Sequence, residues 1–518
     1  MPARHERAAT VTLKRLDENT YVMTAQTAEE HSLTAVIGLE VHVQLETDTK
    51  IFCGCSTDAD DNEEPNTRTC PVCLGLPGAL PVLNEGAVEA AVKVGKALSS
   101  DIPEETRFHR KNYYYPDLPK NFQITQYDAP ICDGGELEFA VDDERRTVAI
   151  ERAHLEEDPG SLSHAGGSID TAEHTLVDYN RAGTPLLEIV TAPDFRSAAE
   201  VRAFLAKLTE VLEYLGVFDV TRDGSLRVDA NLSIVDSDAV GENGSIDEAT
   251  LEAANRTEVK NISSHKGAEK ALAYEETRQK NAVQRGREVE QETRHWDESR
   301  GITVSMRSKE EEKDYRYFRE ADIPPLRVSD WKEKIDIPEL PDARRERFRE
   351  EYGLDAETAS KLTSTKQVAD FYERVADTFA PELAATWVAD NLLGELNYRD
   401  MEITDIEGRL DEFAHLIELV DEDEITVKNA EEVVLRRMLD DGQPPGDIVE
   451  AEDLGKTDDD AVAAAVTAAI EENPDAVEDY HAGEDGALNF LVGQVMQETG
   501  GSADPGTVNE LLRAELDG

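Results

Sequence analysis

The chain has 518 residues, in which 112 aspartates and glutamates stand against 53 lysines and arginines, a net charge of −59. This length exceeds what one hydrophobic core can organise, so we expect two to four domains. The acidic residues run along the whole chain, which excludes an acidic tail on a neutral protein. Such a surface repels itself in dilute salt, whereas molar salt shortens the Debye length to about 3 Å. We therefore predict a halophilic source; an ordinary acidic interaction protein is the alternative.

The sequence shows no signal peptide, and its longest apolar stretch, residues 461–470, is too short to cross a bilayer. Five cysteines in such a chain argue against a disulfide scaffold. We expect a soluble, cytoplasmic protein without a membrane partner.

In chain order, residues 1–32 lack a clear period and are predicted to form a poorly ordered N-terminal extension. Residues 33–326 read as α+β, with short strands, Gly/Asp/Asn turns and two clear helices. The first helix is predicted at 85–98, and the second begins near an N-cap at Ser264 and ends near residue 286. The acidic loop 236–255 between them is typical of an insertion.

After this α+β part, the pattern changes to amphipathic helices with charged faces. We predict an all-helical domain at 327–441 and a small helical tail domain at 442–518. The fold class is therefore α+β, with a mixed α/β domain that contains an antiparallel sheet, followed by helices.

The first strand of the α+β part has the clearest period in the chain. Apolar residues alternate with polar ones, which puts Glu40 and His42 on the same face of the strand. A carboxylate beside an imidazole suits a divalent cation or a proton-transfer pair, and a solvated polar face is the alternative. The apolar set is Ile37, Leu39, Val41, Val43 and Leu45.

Glu188 lies in the apolar run 186–190, which predicts a strand buried on both faces. A buried charge costs several kcal/mol unless a cation or a donor meets it, so Glu188 needs a partner. Three consecutive acids, residues 156–158, follow His154 and repel one another without a cation. Carboxylates from three segments are typical of Mg²⁺ sites, and a surface acid cluster is the alternative for the 156–158 run.

Four cysteines form two close pairs, which predicts a tetrahedral zinc site. The polar loop between the pairs could not hold itself by packing, so metal binding would supply its folding energy. Four protein ligands leave no open coordination position, which favours a structural role, and reduced structural cysteines are the alternative. The quartet is Cys53, Cys55, Cys70 and Cys73.

Residues 107–116 form a dense basic and aromatic stretch. Interleaved guanidinium and aromatic groups can pair with phosphates and stack on bases. A strand with snorkelling Arg and Lys side chains is the alternative. No Walker A, protein-kinase, Rossmann or nucleophile-elbow motif is present, so the residues alone do not locate a nucleotide site.

These ordered segments resemble the GatB family, the B subunits of the aspartyl/glutamyl-tRNA amidotransferases. The resemblance runs from about residue 34 to the C-terminus. The matching segments are 38–43, 70–75, 110–119, 154–160, 178–190, 223–227, 258–261, 314–318 and 490–494.

The resemblance implies an enzyme that uses ATP to phosphorylate the side-chain carboxylate of mischarged Glu-tRNA(Gln) or Asp-tRNA(Asn). Ammonia from a separate amidase (glutaminase) subunit then forms the amide, and a small third subunit, which holds the pair together, makes the enzyme a heterotrimer. The partners implied are these subunits and tRNA, not DNA or a membrane. The first part becomes a catalytic cradle, and the tail domain contacts tRNA.

The resemblance also assigns site residues and the cofactors ATP, Mg²⁺ and Zn²⁺. It places Zn²⁺ at the cysteine quartet and Mg²⁺ at Glu40, His42, Glu157 and Glu188, which are also the catalytic residues. It assigns tRNA or substrate binding to Arg110, Lys111, Tyr113, Lys260, Asn261 and Arg316.

Two other functions fit less of the sequence. The archaeal paralogue that acts on Glu-tRNA(Gln) alone carries an extra inserted domain, for which 518 residues leave no room. A zinc-stabilised RNA-binding module without catalysis would explain the cysteines and the basic stretch but not Glu188.

Overall fold

The computed structural model describes residues 10–15, 21–26, 32–58, 63–142, 144–165, 172–222, 224–241, 244–308, 315–455, 459–499 and 503–517. The chain divides into two compact units, Met1–Leu340 and Pro341–Gly518. In the described part of the chain, no helix has the length and apolar character needed to cross a membrane.

The N-terminal extension contains a hairpin that the sequence did not predict. Strand β1 (Thr10–Arg15) pairs antiparallel with β2 (Tyr21–Gln26). The rest of the predicted extension, apart from Ser32, lies outside the described residues, so its predicted poor order stays a prediction.

The remaining strands all belong to the first unit. They are β3 (Leu33–Gln44), β4 (Glu105–Thr106), β5 (Phe108–Lys111), β6 (Gln123–Gln126), β7 (Cys132–Asp133), β8 (Glu136–Val141), β9 (Glu144–Glu157), β10 (Ser161–His164), β11 (Thr175–Asp178), β12 (Pro185–Thr191), β13 (Leu226–Asp236), β14 (Thr257–Ile262), β15 (Glu292–Asp297), β16 (Ile302–Ser308), β17 (Phe318–Arg319) and β18 (Leu326–Arg327).

Among the described residues, twelve strands form one sheet whose main path is β16-β15-β14-β13-β3-β12-β9-β6-β5-β17. Strands β7 and β8 also pair with β9. Strands β14 and β15 are parallel, and the other pairings in the sheet are antiparallel. The sheet is therefore mixed, and the predicted α+β fold class is confirmed.

The first unit also contains five α-helices among its described residues. They are α1 (Glu85–Ala97), α2 (Ala198–Tyr214), α3 (Glu248–Ala253), α4 (His265–Gln284) and α5 (Ser329–Lys334). The two predicted helices are confirmed as α1 and α4, and the Ser264 side chain caps α4 as expected. Residues of α1, α2 and α4 share one core with the odd-numbered apolar residues of β3. The even-numbered residues of β3 therefore lie on the opposite face.

The second unit consists of helices in its described residues. The α-helices are α6 (Pro341–Glu351), α7 (Ala356–Leu362), α8 (Lys366–Ala376), α9 (Pro381–Ala385), α10 (Leu393–Tyr398), α11 (Leu410–Asp421), α12 (Val427–Asn429), α13 (Arg436–Asp441), α14 (Pro445–Glu452), α15 (Asp459–Glu472), α16 (Pro474–His481), α17 (Asp485–Glu498) and α18 (Pro505–Asp517). Thr386–Leu392 and Ala430–Leu435 are π-helical, and Ile403–Arg409 is a 3-10 helix. They enclose two hydrophobic cores, one ending near α14 and one built from α15, α17 and α18.

The division between the units falls later than the predicted boundary at residue 326. Val328 and Ile335 are buried in the core of the first unit, and Trp331 packs against it, which keeps α5 with the sheet. The predicted boundary at residue 441 also precedes the change of core, because Ile448 of α14 is buried in the first core of the second unit.

Asp158, at the end of β9, joins the strands that carry the polar face. Its buried carboxylate accepts hydrogen bonds from Gln44 (2.8 Å) and Arg227 (2.5 Å) and lies 3.3 Å from the Arg181 guanidinium. Its backbone also bonds with the turn that begins β12, where Gly183 adopts a φ of 87°, a conformation that favours glycine. These bonds hold β3, β9, β12 and β13 in one register.

We expect Asp158→Ala to lower the free energy of unfolding by about 2–3 kcal/mol, because two arginines would lose their shared carboxylate. The matched control is Glu138→Ala, which removes an exposed ion pair with Arg145 and should cost less than about 1 kcal/mol. Denaturant unfolding in molar KCl measures both. Equal losses for the two variants would contradict this role of Asp158.

Candidate active site

The centre of the polar face is His42 on β3. In the antiparallel register it stands opposite Glu188 of β12, and Glu188 stands opposite His154 of β9. On the other side of β3, Asp229 of β13 stands opposite Glu40. Because side chains of paired residues lie on the same face, four neighbouring strands aim titratable groups at one place.

We call Glu40, His42, Glu156, Glu188 and Asp229 the acid cluster. The Nδ1 atom of His42 lies 3.6 Å from a Glu156 oxygen and 3.8 Å from a Glu188 oxygen. Its Nε2 atom lies 4.0 Å from an Asp229 oxygen. Glu156 and Glu188 are buried, whereas the other three members are partly exposed.

Polar neighbours hold the carboxylates in place. The Glu188 carboxylate lies 3.6 Å from the Nε2 atom of His154. Asn231 donates a hydrogen bond to Glu40 (3.2 Å), and Thr125 donates one to Glu156 (3.3 Å). The cluster therefore has an outer layer that orients its oxygens, as is common around metal sites.

Charge repulsion and burial shift the pKa values of the cluster. Burial, followed by the Glu188 charge, raises the pKa of Glu40. Burial by itself lowers the pKa of His42, but the Glu156 and Glu188 carboxylates outweigh it and raise the pKa to about 9. Burial raises the pKa of Glu156, and His42 and Lys111 outweigh it and lower the pKa. The carboxylates thus hold a positive charge at the position of His42.

The residues present fit a divalent cation. Two groups of donor atoms, Glu40 with His42 and Asp229, and His42 with Glu156 and Glu188, each lie within 4.8 Å of one another. In an octahedral Mg²⁺ site, ligands at about 2.1 Å are at most about 4.2 Å apart, so small side-chain movements suffice. Among the described residues, the buried Nδ1 atoms of His42 and His154 have no hydrogen-bond partner.

Three of the four residues predicted for Mg²⁺ lie in the acid cluster, and the fourth does not. Glu157 instead pairs with Lys120 and accepts a hydrogen bond from the backbone N–H of Ile124 (2.8 Å). Successive residues of a strand point to opposite faces, so Glu156 takes the place predicted for Glu157.

Three residues predicted to bind tRNA or substrate border the acid cluster. Lys260 forms ion pairs with Asp229 (2.5 Å) and Glu258 (2.8 Å). Lys111 shares a strand face with His109, which stands opposite Thr125 and so in line with Glu156. Burial lowers the pKa of Lys111, but the charges of Glu156 and Glu188 outweigh burial and raise the pKa. The Tyr113 ring packs beside Lys111, with 5.8 Å between the amine and the ring centroid.

The other three are placed differently. Arg110 is engaged in two hydrogen bonds with the buried Glu320 (2.5 and 2.7 Å) and lies over the Phe122 ring. Asn261, at a φ of 68°, is exposed, and its amide is 3.5 Å from the carbonyl of Trp296. Arg316 is exposed at a φ of 45°. The structure does not bring these residues to the acid cluster.

Sequence reasoning missed Asp229 as a site residue, and within the acidic run after His154 it chose Glu157 rather than Glu156. Asp229 had a signal, because β13 alternates apolar and polar residues as β3 does. His154 and Glu156 are two residues apart and share a face, which the period of a strand also predicts. Asp223 and Asp314, which belong to two of the resembling segments, lie outside the described residues.

The cysteine quartet forms a second candidate metal site. Its four sulfur atoms lie within 4.8 Å of one another, and those of Cys70 and Cys73 are 3.8 Å apart. Zinc–sulfur bonds of about 2.3 Å in a tetrahedron separate the sulfurs by about 3.8 Å, so the quartet fits zinc. A hydrogen bond from Cys53, with help from the Lys50 amine, lowers the pKa of Cys73, which favours the thiolate that a metal needs.

The loop between the cysteine pairs contacts the turn before β12. Asn66 accepts a hydrogen bond from the N–H of Tyr179 (2.8 Å), and Asn180 accepts one from the N–H of Arg68 (2.8 Å). The fully buried Lys50 donates to the carbonyl of Arg68 (2.9 Å). The loop of the candidate metal site therefore supports the turn that leads to Glu188.

A cavity of about 360 Å³ opens beside Glu40 on the polar face. Asn231 borders it near the acid cluster, and Arg152 and Arg256 line other parts of its wall. Within the described residues, the Arg256 side chain has no ion-pair or hydrogen-bond partner. The volume lies at the lower end of the range of about 300–1,000 Å³ that is common for ligand pockets.

Comparisons with known proteins identify the family of the domain that contains the acid cluster. Residues 35–333 match the family described as GatB/GatE catalytic domain, and residues 370–516 match the GatB domain. The fold and the acid cluster thus belong to a catalytic domain of that class. The chain belongs to the GatB family, as the resemblance predicted.

Relatives cover nearly the whole chain. The aspartyl/glutamyl-tRNA(Asn/Gln) amidotransferase B subunit of Haloquadratum walsbyi is 76% identical over 495 residues, which cover 96% of this chain and 99% of the relative. The same subunit of Haloarcula marismortui is 72% identical over 505 residues (96% and 100%), and that of Methanosarcina barkeri is 52% identical over 505 residues (93% and 98%). The haloarchaeal relatives confirm the predicted halophilic character.

We expect Cys73→Ser to lower the affinity for zinc by at least about 100-fold, because a hydroxyl replaces a thiolate ligand. The melting temperature should fall clearly, whereas the turnover at a permissive temperature should change little. The control is Cys132→Ser, which changes a buried cysteine outside the quartet. Metal analysis and thermal denaturation measure the effect, and equal zinc loss in both variants would contradict a structural zinc site.

Proposed function

We propose that this chain is the catalytic subunit of a glutamine-dependent aminoacyl-tRNA amidotransferase that converts Glu-tRNA(Gln), Asp-tRNA(Asn) or both. The acid cluster is the observation that carries the proposal, since it places three buried or half-buried carboxylates around His42. Surface acids, which are abundant in this chain, do not form such a centre. The names of the relatives support both tRNA substrates.

The reaction needs two steps. A side-chain carboxylate is a poor electrophile because its leaving group would be oxide. One carboxylate oxygen attacks the γ-phosphorus of ATP, the bond to the bridging oxygen breaks, and ADP leaves. Ammonia then attacks the acyl phosphate, and phosphate leaves with one of the ammonia protons.

The residues of the acid cluster would hold Mg²⁺ for this reaction. Glu156 and Glu188, with Glu40, Asp229 and the imidazole of His42, are the candidate ligands. When bound, Mg²⁺ neutralises phosphate oxygens and the charge that develops during phosphoryl transfer.

Lys111 supplies a second positive charge at the same place. The nearby acids keep its amine protonated, because they raise its pKa. Its amine lies 5.0 Å from the Tyr315 ring centroid, and among the described residues it forms no ion pair. It can therefore bind a phosphate or the reacting carboxylate.

We assign the nucleoside part of ATP to the cavity beside Glu40. The cavity and the acid cluster share Glu40 as a wall, so a nucleotide there would direct its phosphates toward the cluster. Arg256 offers an unpaired positive charge in a chain of net charge −59. In-line phosphoryl transfer then requires the acceptor carboxylate on the far side of the cluster.

The ammonia source belongs to another polypeptide. The relatives are each named as the B subunit of their enzyme, which implies a complex with other subunits and with tRNA. We propose an amidase (glutaminase) subunit that releases ammonia from glutamine and a small third subunit, in a heterotrimer. The alternative, a zinc-stabilised RNA-binding module without catalysis, would not explain why carboxylates are buried together in the acid cluster.

Substitutions of neighbouring glutamates test the site. We expect Glu156→Gln and Glu188→Gln to lower ATP-dependent amidation by at least about 100-fold, because each removes a charged cation ligand. Glu157→Gln is the matched control and should cost less than about tenfold, since its carboxylate bonds to Lys120 and Ile124.

The assay uses the coexpressed complex with each mischarged tRNA in molar KCl, and titration calorimetry measures Mn²⁺ binding. tRNA affinity and the melting temperature should change little in Glu188→Gln. A larger loss of amidation activity in Glu157→Gln than in Glu156→Gln would identify Glu157, the residue predicted from the sequence, as the metal ligand. Full amidation by Glu188→Gln would refute the acid cluster as the active site.

A further inference from the structure

Four tyrosines from three segments form a connected group at the β5–β6–β17 end of the sheet. The rings of Tyr127 and Tyr317 are stacked, with centroids 4.2 Å apart and an interplanar angle of 5°. Tyr317 also contacts Tyr315 (6.1 Å, 67°), and Tyr315 contacts Tyr113 (5.7 Å, 70°). We call Tyr113, Tyr127, Tyr315 and Tyr317 the tyrosine cluster.

This cluster is not part of a hydrophobic core. Tyr127 is 57% exposed, and the other three rings are partly exposed. In the described part of the chain, none of the four phenol oxygens has a hydrogen-bond partner. Buried tyrosines usually bond their hydroxyl, and contiguous exposed rings are typical of binding surfaces.

The tyrosine cluster borders the acid cluster through Lys111. The Lys111 amine lies 5.0 Å from the Tyr315 centroid and 5.8 Å from that of Tyr113. His109 of β5 stands opposite Thr125, which stands opposite Glu156, so Lys111, two residues further along β5, lies on the face of the acid cluster. The rings and the reacting groups are therefore neighbours on one face of the sheet.

The position matches a requirement of the reaction. In the proposed function, the reacting carboxylate belongs to an amino acid esterified to the terminal adenosine of tRNA. An esterified glutamate or aspartate spans less than about two residue lengths, or about 7 Å. The adenosine must therefore lie next to the acid cluster, on the side opposite to ATP.

At high salt concentration, stacking on a base is a more effective contact with tRNA than an ion pair with a phosphate. Phosphate contacts weaken steeply as salt rises, because the counterions released on binding gain less entropy at high salt. Stacking between a base and an aromatic ring does not depend on charge in this way. Arg110 in the same stretch is engaged with Glu320 and adds little free charge.

We infer that the tyrosine cluster stacks on the 3′-terminal adenosine of the mischarged tRNA and places its aminoacyl group at the acid cluster. This inference depends on the proposed function. The adenine of ATP offers the same chemistry, so the experiment needs one arm for tRNA and one for ATP.

The probe is a tRNA whose terminal adenine is replaced by 2-aminopurine, a base whose fluorescence falls when it stacks. The coexpressed complex is tested in molar KCl with Tyr127→Ala and Tyr127→Phe. Tyr274→Ala is the control, because Tyr274 is a partly exposed tyrosine on α4, which packs on the apolar face of the sheet. The KM values for mischarged tRNA and for ATP are measured separately.

We expect Tyr127→Ala to lose the quenching and to raise the KM for tRNA about tenfold, with the KM for ATP and kcat nearly unchanged. Tyr127→Phe keeps the ring and should behave as the unaltered complex, as should Tyr274→Ala. This rescue by phenylalanine distinguishes stacking from a loss of structure, and thermal denaturation verifies that each variant folds.

Two results would overturn the inference. An increase in the KM for ATP alone would assign the cluster to the nucleotide, and unchanged quenching with an unchanged KM would exclude stacking on the terminal base. Both results require that the unaltered complex amidates mischarged tRNA. Absence of that activity would instead refute the proposed function.

Discussion

The structure depends on the electrostatic constraint that carboxylates from neighbouring strands share one partly buried face. Glu156 and Glu188 both lie within 4 Å of the Nδ1 atom of His42, and each buried charge is costly without a compensating cation. Without a metal, the chain supplies part of this compensation through Lys111 and through His42, whose pKa values the acids raise; a bound cation would replace the His42 proton. A divalent cation would compensate more of the charge, so under the proposed function the same feature that destabilises the free sheet would favour a metal and its phosphates.

The alternation of β3 connects this constraint to the fold. Val41 and Val43 are fully buried against the helices, while Glu40 and His42 face the cluster. A shift by one residue would exchange the two faces, burying charge in the core and removing the site. The bonds of Asp158 and the turn at Gly183 hold the register, so the fold and the active site have a common origin.

The sequence predicted those features of the site that depend on the alternation of residues within a single strand. Glu40 with His42, and Glu188 among its apolar neighbours, were identified without a structure. The choice between Glu156 and Glu157 depends on which face of β9 meets β12, and Asp229 depends on the pairing of β13 with β3. These pairings join residues that are far apart in the chain, and the local sequence does not encode their distances. For the same reason, Tyr113 was predicted as a binding residue but its contacts with the other three tyrosines were not.

Salt acts differently on the exposed carboxylates of this protein and on the buried carboxylates of the acid cluster. The many exposed carboxylates are screened in molar KCl, where the Debye length is about 3 Å, and they cease to repel each other or the tRNA. Buried pairs such as His42 with Glu156 are screened much less, so the proposed attraction of the acid cluster for a cation would persist under the same conditions. Because phosphate contacts weaken while stacking persists, an acidic protein can still orient the end of a tRNA. The aromatic rings beside Lys111 would thus act where the exposed charges of the chain cannot.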